Sequence, residues 1–154
     1  MLSRTRSTVV TRGPWWPRAN SPLTQDEYAS AIHIYNQALT LARAEGSRGL
    51  EASIAYNLGQ VYYHLGEYRA AAIAFKAALR RQPSWDGLYD GLGWSRLKLG
   101  RYHLAIEAFQ SAPDLSPEHR DALVGLGTAQ FELGRYEAAV QPLDRALRGM
   151  TTVV

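Results

Sequence analysis

Cysteine is absent from all 154 residues. Neither a disulfide framework nor a thiolate metal site is therefore available to the chain. Long apolar runs are missing too. None approaches the roughly 20 residues needed to cross a bilayer, so no membrane span is expected. Histidine is sparse and dispersed: His33, His64, His103 and His119 form no i, i+4 pair and no H-E-x-x-H. No glycine-rich loop follows a strand pattern, and the carboxylates are spread along the chain rather than paired. No grouping meets the geometric needs of catalysis. The sequence thus predicts a non-catalytic protein, with no catalytic residues, no cofactor and no metal.

Acid is missing from one stretch. The net charge is +3, from 17 Lys and Arg against 14 Asp and Glu. Arg4, Arg6, Arg12 and Arg18 stand in residues 1–20 without a single carboxylate, which leaves the remainder close to neutral. The basic character belongs to this leader, and the body carries no electrostatic footprint for nucleic acid. Residues 1–20 are rich in Arg, Ser, Thr and Pro, show no hydrophobic period and read as a flexible tail. The tail lacks a secretory h-region, its longest aliphatic run being Val9-Val10. The cytoplasm is the expected compartment, with a mitochondrial transit peptide as the secondary reading of that composition.

What the chain does have is a period. Residues 58–71 read LGQVYYHLGEYRAA, residues 92–105 LGWSRLKLGRYHLA and residues 126–139 LGTAQFELGRYEAA. Six columns are identical in all three copies, spaced by 34 residues: Leu58/Leu92/Leu126, Gly59/Gly93/Gly127, Leu65/Leu99/Leu133, Gly66/Gly100/Gly134, Tyr68/Tyr102/Tyr136 and Ala71/Ala105/Ala139. A fixed period of this length marks stacked supersecondary units. Helix signals divide each unit in two. First helices are predicted at about 52–65, 86–99 and 119–133, each closed by a Leu-Gly pair. Second helices are predicted at about 67–81, 101–112 and 135–148, with Pro83 and Pro117 after the first two. Before them, Thr24-x-x-Glu27 forms a capping box that opens a helix to about Ala44, ended by Gly46 and Gly49. Gly59, Gly93 and Gly127 fall mid-helix, where each costs about 1 kcal/mol relative to alanine. That cost implies close approach by a partner helix, with Phe75, Phe109 and Leu143 as the large knobs. Pro142 lies inside the last helix and predicts a kink there.

These residues are similar to the tetratricopeptide repeat family, whose pattern is W-x2-L-G-x2-Y followed by G-x-Y, A, F, A and P. The resemblance covers residues 52–85, 86–119 and 120–153, with a half repeat at 24–45. The tail is 1–20, the repeat body 21–148 and a C-terminal tail 149–154. The implied fold is all-α: a right-handed α-solenoid of antiparallel helix pairs, with about seven helices in three and a half repeats. Departures from the pattern include Arg96 and Gln130 in the column where the first copy keeps Tyr62, and Pro113, which shortens the middle second helix.

By this resemblance the first helices line a concave groove that binds a protein or peptide segment. Its expected residues are Tyr56, Gln60, Tyr63, His64, Asp90, Trp94, Leu97, Lys98, Val124, Thr128 and Phe131. Tyr63, Trp94 and Phe131 are the expected anchors, and His64 and Lys98 the rim; Tyr56 and Tyr63 also match the family's framework, and packing between repeats is the equal alternative for Trp94. The cations that grip chaperone C-terminal carboxylates in some members of the family are missing, Gly87, Gly91, Asp121 and Gly125 standing at those places. Two alternatives compete with the groove. The last helix would turn Val140, Leu143 and Leu147 outward, an end that self-association, a capping partner protein or the rest of a longer chain would cover. The arginine tail could contact nucleic acid, with Trp15 and Trp16 stacking on bases. Docking of those tryptophans on the body is the favoured account of them.

Overall fold

The structure is a computed structural model, and it describes residues 23–112 and 119–151. Seven helices follow one another among these residues: α1 (Gln25–Glu45), α2 (Arg48–His64), α3 (Tyr68–Arg81), α4 (Asp86–Lys98), α5 (Tyr102–Ser111), α6 (Arg120–Glu132) and α7 (Tyr136–Thr151). There is no strand among them. The restart signal Ser116-Pro117-Glu118 and the tail 1–20 lie outside the described residues.

Local chemistry sets the helix ends. At α1 the Thr24 hydroxyl accepts from the Glu27 amide at 3.3 Å, and the Thr24 amide donates to Glu27 Oε2 at 2.6 Å. Both halves of the capping box are thus in place. Gly66, Gly100 and Gly134 take left-handed φ of 79°, 73° and 74° after α2, α4 and α6. In each, the residue after the glycine donates back five residues, for example Glu67 to the Tyr62 carbonyl at 2.9 Å, and the glycine itself donates to Tyr63 at 3.0 Å. This pair of bonds is the Schellman closure, and it turns the chain sharply into the second helix. Gly46 closes α1 in the same way at φ 70°. Gly49 does not share in that ending: it lies in the first turn of α2, which begins four residues before the predicted start. α5 has 10 residues against 14 in α3 and stops before Ala112. Ala112 has φ −59° and ψ 130°, the extended geometry imposed on a residue preceding proline. α7 continues through Pro142 as one helix.

Helices pack in chain order, each against its neighbour, from α1 to α7. The first helices also meet across repeats, α2 with α4 and α4 with α6, whereas α3, α5 and α7 make no such approach to one another. Contact on one side and separation on the other is the curvature of the molecule. It defines an inner face built from α2, α4 and α6.

The glycines act as the joints between repeats. Phe75, fully buried, lies where a Cβ on Gly59 would be 2.7 Å from its ring, and a Cβ on Gly91 of the next repeat would also be 2.7 Å away. Phe109 sits likewise between Gly93 and Gly125. The predicted close approach is therefore real and two-sided: one aromatic ring is clamped by glycines of consecutive repeats. Leu143 occupies the third such seat against Gly127 but has no following repeat among the described residues, and it stays 39% exposed. A smaller apolar cluster of Ala42, Ile54 and Leu58 seals α1 onto α2.

Candidate interaction face of the first helices

The inner face carries the predicted groove residues, but it exposes them unequally. α2 offers little. Gln60 is buried and donates to the Tyr56 hydroxyl at 2.8 Å. Tyr56 is half-buried and packs on Trp85 with ring centroids 4.5 Å apart. Tyr63, an expected anchor, is buried edge-on against Tyr68 at 5.1 Å. His64, expected at the rim, is instead in the core, stacked on Tyr28 of α1 with an interplanar angle of 12°. The reason is its position in the last turn of α2, over which the first turn of α1 passes.

In α4, Trp94 is 9% exposed and meets Phe109 edge-on at 5.9 Å. It is a packing residue more than a free anchor. Leu97 is half-buried and Lys98 exposed. In α6, Val124 and Phe131 are exposed, Phe131 at 57% and paired with the exposed Tyr136 at 5.3 Å. Thr128 spends its hydroxyl on the Val124 carbonyl at 2.7 Å. The surface available to a partner therefore shifts toward Leu97, Lys98, Val124 and Phe131.

A polar feature lies deeper on the same face. Asp90 is 9% exposed, and its Oδ1 has no hydrogen-bond partner among the described residues. Burial drives its carboxyl up to about 6, with Asp86 and Asp121 adding repulsion and His119 opposing them. Burial also raises Asp121. His119 Nε2 stands 3.9 Å from Asp86 Oδ2. Burial, and then the charge of Asp90, raises the Tyr56 phenol. Asp86 and His119 were not singled out in the sequence. Each opens a helix, where an acid or a capping residue is ordinary, so nothing in the pattern marked them. Arg120 opposes the rise of Asp121, and its Nη2 donates to the Gly149 carbonyl at 3.4 Å. The face thus combines an acidic floor with an apolar C-terminal rim.

No group of three or more His, Asp or Glu among the described residues is placed to hold a metal ion. No helix there is long and apolar enough to cross a membrane. Trp15, Trp16 and the tail arginines fall outside the described residues.

Helical hairpins stacked at a fixed period, with glycine joints and a face of first helices, define an α-solenoid of the protein-interaction class. The chain belongs to the tetratricopeptide repeat family, whose sequence pattern matches residues 17–84 and 91–150. Solved structures agree on the fold. MamA 41-end from Desulfovibrio magneticus RS-1 is 21% identical with a TM-score of 0.71, covering 83% of this chain and 69% of that one. BtubC (BKLC) from P. vanneervenii is 20% identical with a TM-score of 0.70, covering 81% and 57%. A further crystal structure of MamA is 20% identical with a TM-score of 0.60, covering 82% and 90%. At such identities the likeness is one of fold. No curated protein matches the chain.

Proposed function

We propose that the protein is a non-catalytic interaction module that seats a segment of a partner protein along α2, α4 and α6. The observation that carries this reading is the continuous inner face, on which Val124 and Phe131 remain exposed although the first helices abut one another. Exposed apolar side chains on a concave face are the usual anchors for helical or extended segments. The acidic floor of Asp86, Asp90 and Asp121 favours a segment with a cation near its apolar anchor.

Affinity capture with a Val124→Ser, Phe131→Ala double variant tests the proposal. Both positions are exposed, so the fold should survive. The expected result is loss of partners recovered by the parent chain, and undiminished recovery would overturn the groove. Trp94→Ala is a poor probe, because its burial against Phe109 makes it a test of stability.

A second reading, self-association, is favoured by α7. Val140 is 63% exposed and Leu147 59%, and with Leu143 they form an apolar stripe along one helix.

A further inference from the structure

Curvature has an outer consequence. Because the second helices are held apart, a cleft of about 320 Å³ opens between α3 and α5, floored by α4. Four cations surround it: Arg69 and Lys76 from α3, Arg96 from α4 and Arg101 at the start of α5. No carboxylate lines it, and none of the four makes an ion pair among the described residues. Burial lowers the Arg96 guanidinium from its ordinary value, and Arg101 adds to this; Glu107 opposes both but forms no ion pair with it. The Arg96 guanidinium is held in place by donating Nη1 to the Leu104 carbonyl at 2.9 Å. Between the cations stand two apolar side chains, Ile73 at 67% exposure and Leu104 at 38%.

Neither the full set of charges nor the apolar pair is a demand of the repeat. In the other copies the column of Ile73 holds Glu107 and Gln141, and that of Leu104 holds Ala70 and Ala138. Arg96 replaces the aromatic Tyr62, Lys76 matches Gln110 and Asp144, and Arg69 matches His103 and Glu137; of the four cations only Arg101 recurs, as Arg135. Framework packing therefore does not account for the cleft. The neighbouring cleft between α1 and α3 shows what an internally satisfied version looks like. There Arg43 and Arg81 stand 4.0 Å and 3.0 Å from Glu51, a carboxylate 6% exposed on the floor helix α2. In the α3–α5 cleft no carboxylate among the described residues stands on the floor or within ion-pair distance of the four cations.

We propose that the α3–α5 cleft is a second docking site, which binds an acidic peptide segment of a partner protein with an aliphatic side chain set between its carboxylates. The carboxylates pair with Arg69, Lys76, Arg96 and Arg101, and the aliphatic group covers Ile73 and Leu104. Arginine suits this task because its planar fork takes a carboxylate through two hydrogen bonds. A single-stranded nucleic acid is disfavoured because no aromatic lines the cleft to stack a base. An anionic bilayer is disfavoured because the apolar groups sit within a cleft instead of along a flat helix face.

Fluorescence anisotropy of a labelled glutamate-rich peptide with one central leucine, titrated with the full chain, decides the matter. Binding should weaken with added salt, as ion pairing at a partly exposed site requires. It should fall by about tenfold or more in a Lys76→Gln, Arg101→Gln variant, since each lost charge pair removes part of the affinity. Both residues are exposed, and a helical circular dichroism spectrum confirms folding. Ile73→Ser should also weaken binding, whereas Val124→Ser with Phe131→Ala on the inner face should not. No binding, equal affinity for the glutamine version of the peptide, or indifference to Lys76→Gln, Arg101→Gln would overturn the proposal. So would tighter binding of phosphatidylserine vesicles or oligothymidine through the same four cations.

Discussion

Phe75 shows how much a single residue settles in this molecule. Its ring fills the space that a side chain on either Gly59 or Gly91 would need, so one aromatic joins two repeats. Adding a methyl group at Gly91 forces the ring out of its seat, against neighbours that are themselves fully buried. Gly91→Ala is expected to lower the unfolding free energy by about 1–3 kcal/mol, the usual cost of overpacking a dense core, even though alanine is the better helix former. Urea denaturation checks it: an unchanged or raised midpoint would contradict the clamp. Asp90 supplies the second residue-scale test. Its carboxyl rises from the ordinary 3.8 to about 6 in the fold, among Tyr56, Asp86, His119 and Asp121. A raised acid favours the folded state while it is protonated. That contribution is complete at low pH and is lost as pH rises from about 4 through 6. At one pKa unit per 1.36 kcal/mol, the loss is of order 3 kcal/mol at most. Asp90→Asn should therefore flatten stability between pH 4 and 7 and raise it at pH 7.5, as read by thermal unfolding across pH.

At the scale of the element, α7 differs from its counterparts α3 and α5. Among the described residues it faces only α6, and Pro142 lacks the amide that would bond to the Ala138 carbonyl. The helix nonetheless continues, since its packing on α6 opposes the break. Its knob Leu143 is clamped on one side only, where Phe75 and Phe109 are clamped on two. Val140, Leu143 and Leu147 consequently form a stripe unmatched among the described residues. Val140→Glu with Leu147→Glu is expected to leave the helical spectrum intact while abolishing any concentration-dependent mass increase seen by light scattering. A parent chain that stays monomeric at high concentration would remove the self-association reading.

For the whole molecule, both proposals rest on a curved stack with two unlike sides. The inner side offers an acidic floor with Val124 and Phe131 above it; the outer side offers a basic cleft with Ile73 and Leu104. Substitutions on one side should leave binding on the other unaltered, because α4 separates the two. Such two-sided surfaces suit a scaffold that bridges partners.

Much of this architecture was legible in the chain itself. The 34-residue period, the Leu-Gly helix ends and the capping box are local demands of backbone geometry, so they announce themselves in order along the sequence. The need of Gly59, Gly93 and Gly127 for a close neighbour was legible for the same reason. Exposure was not. Tyr63, His64 and Trp94 have the side chains of ligand anchors, and only the passage of α1 over His64 and of Tyr68 and Phe109 beside the others buries them. The α3–α5 cleft was hidden altogether, since Arg69, Lys76, Arg96 and Arg101 occupy four different columns of the repeat. The sequence by itself determined the helices, their joints and the family. Which side chains meet a partner was decided by tertiary structure, because curvature is set between neighbouring repeats and not within any one of them.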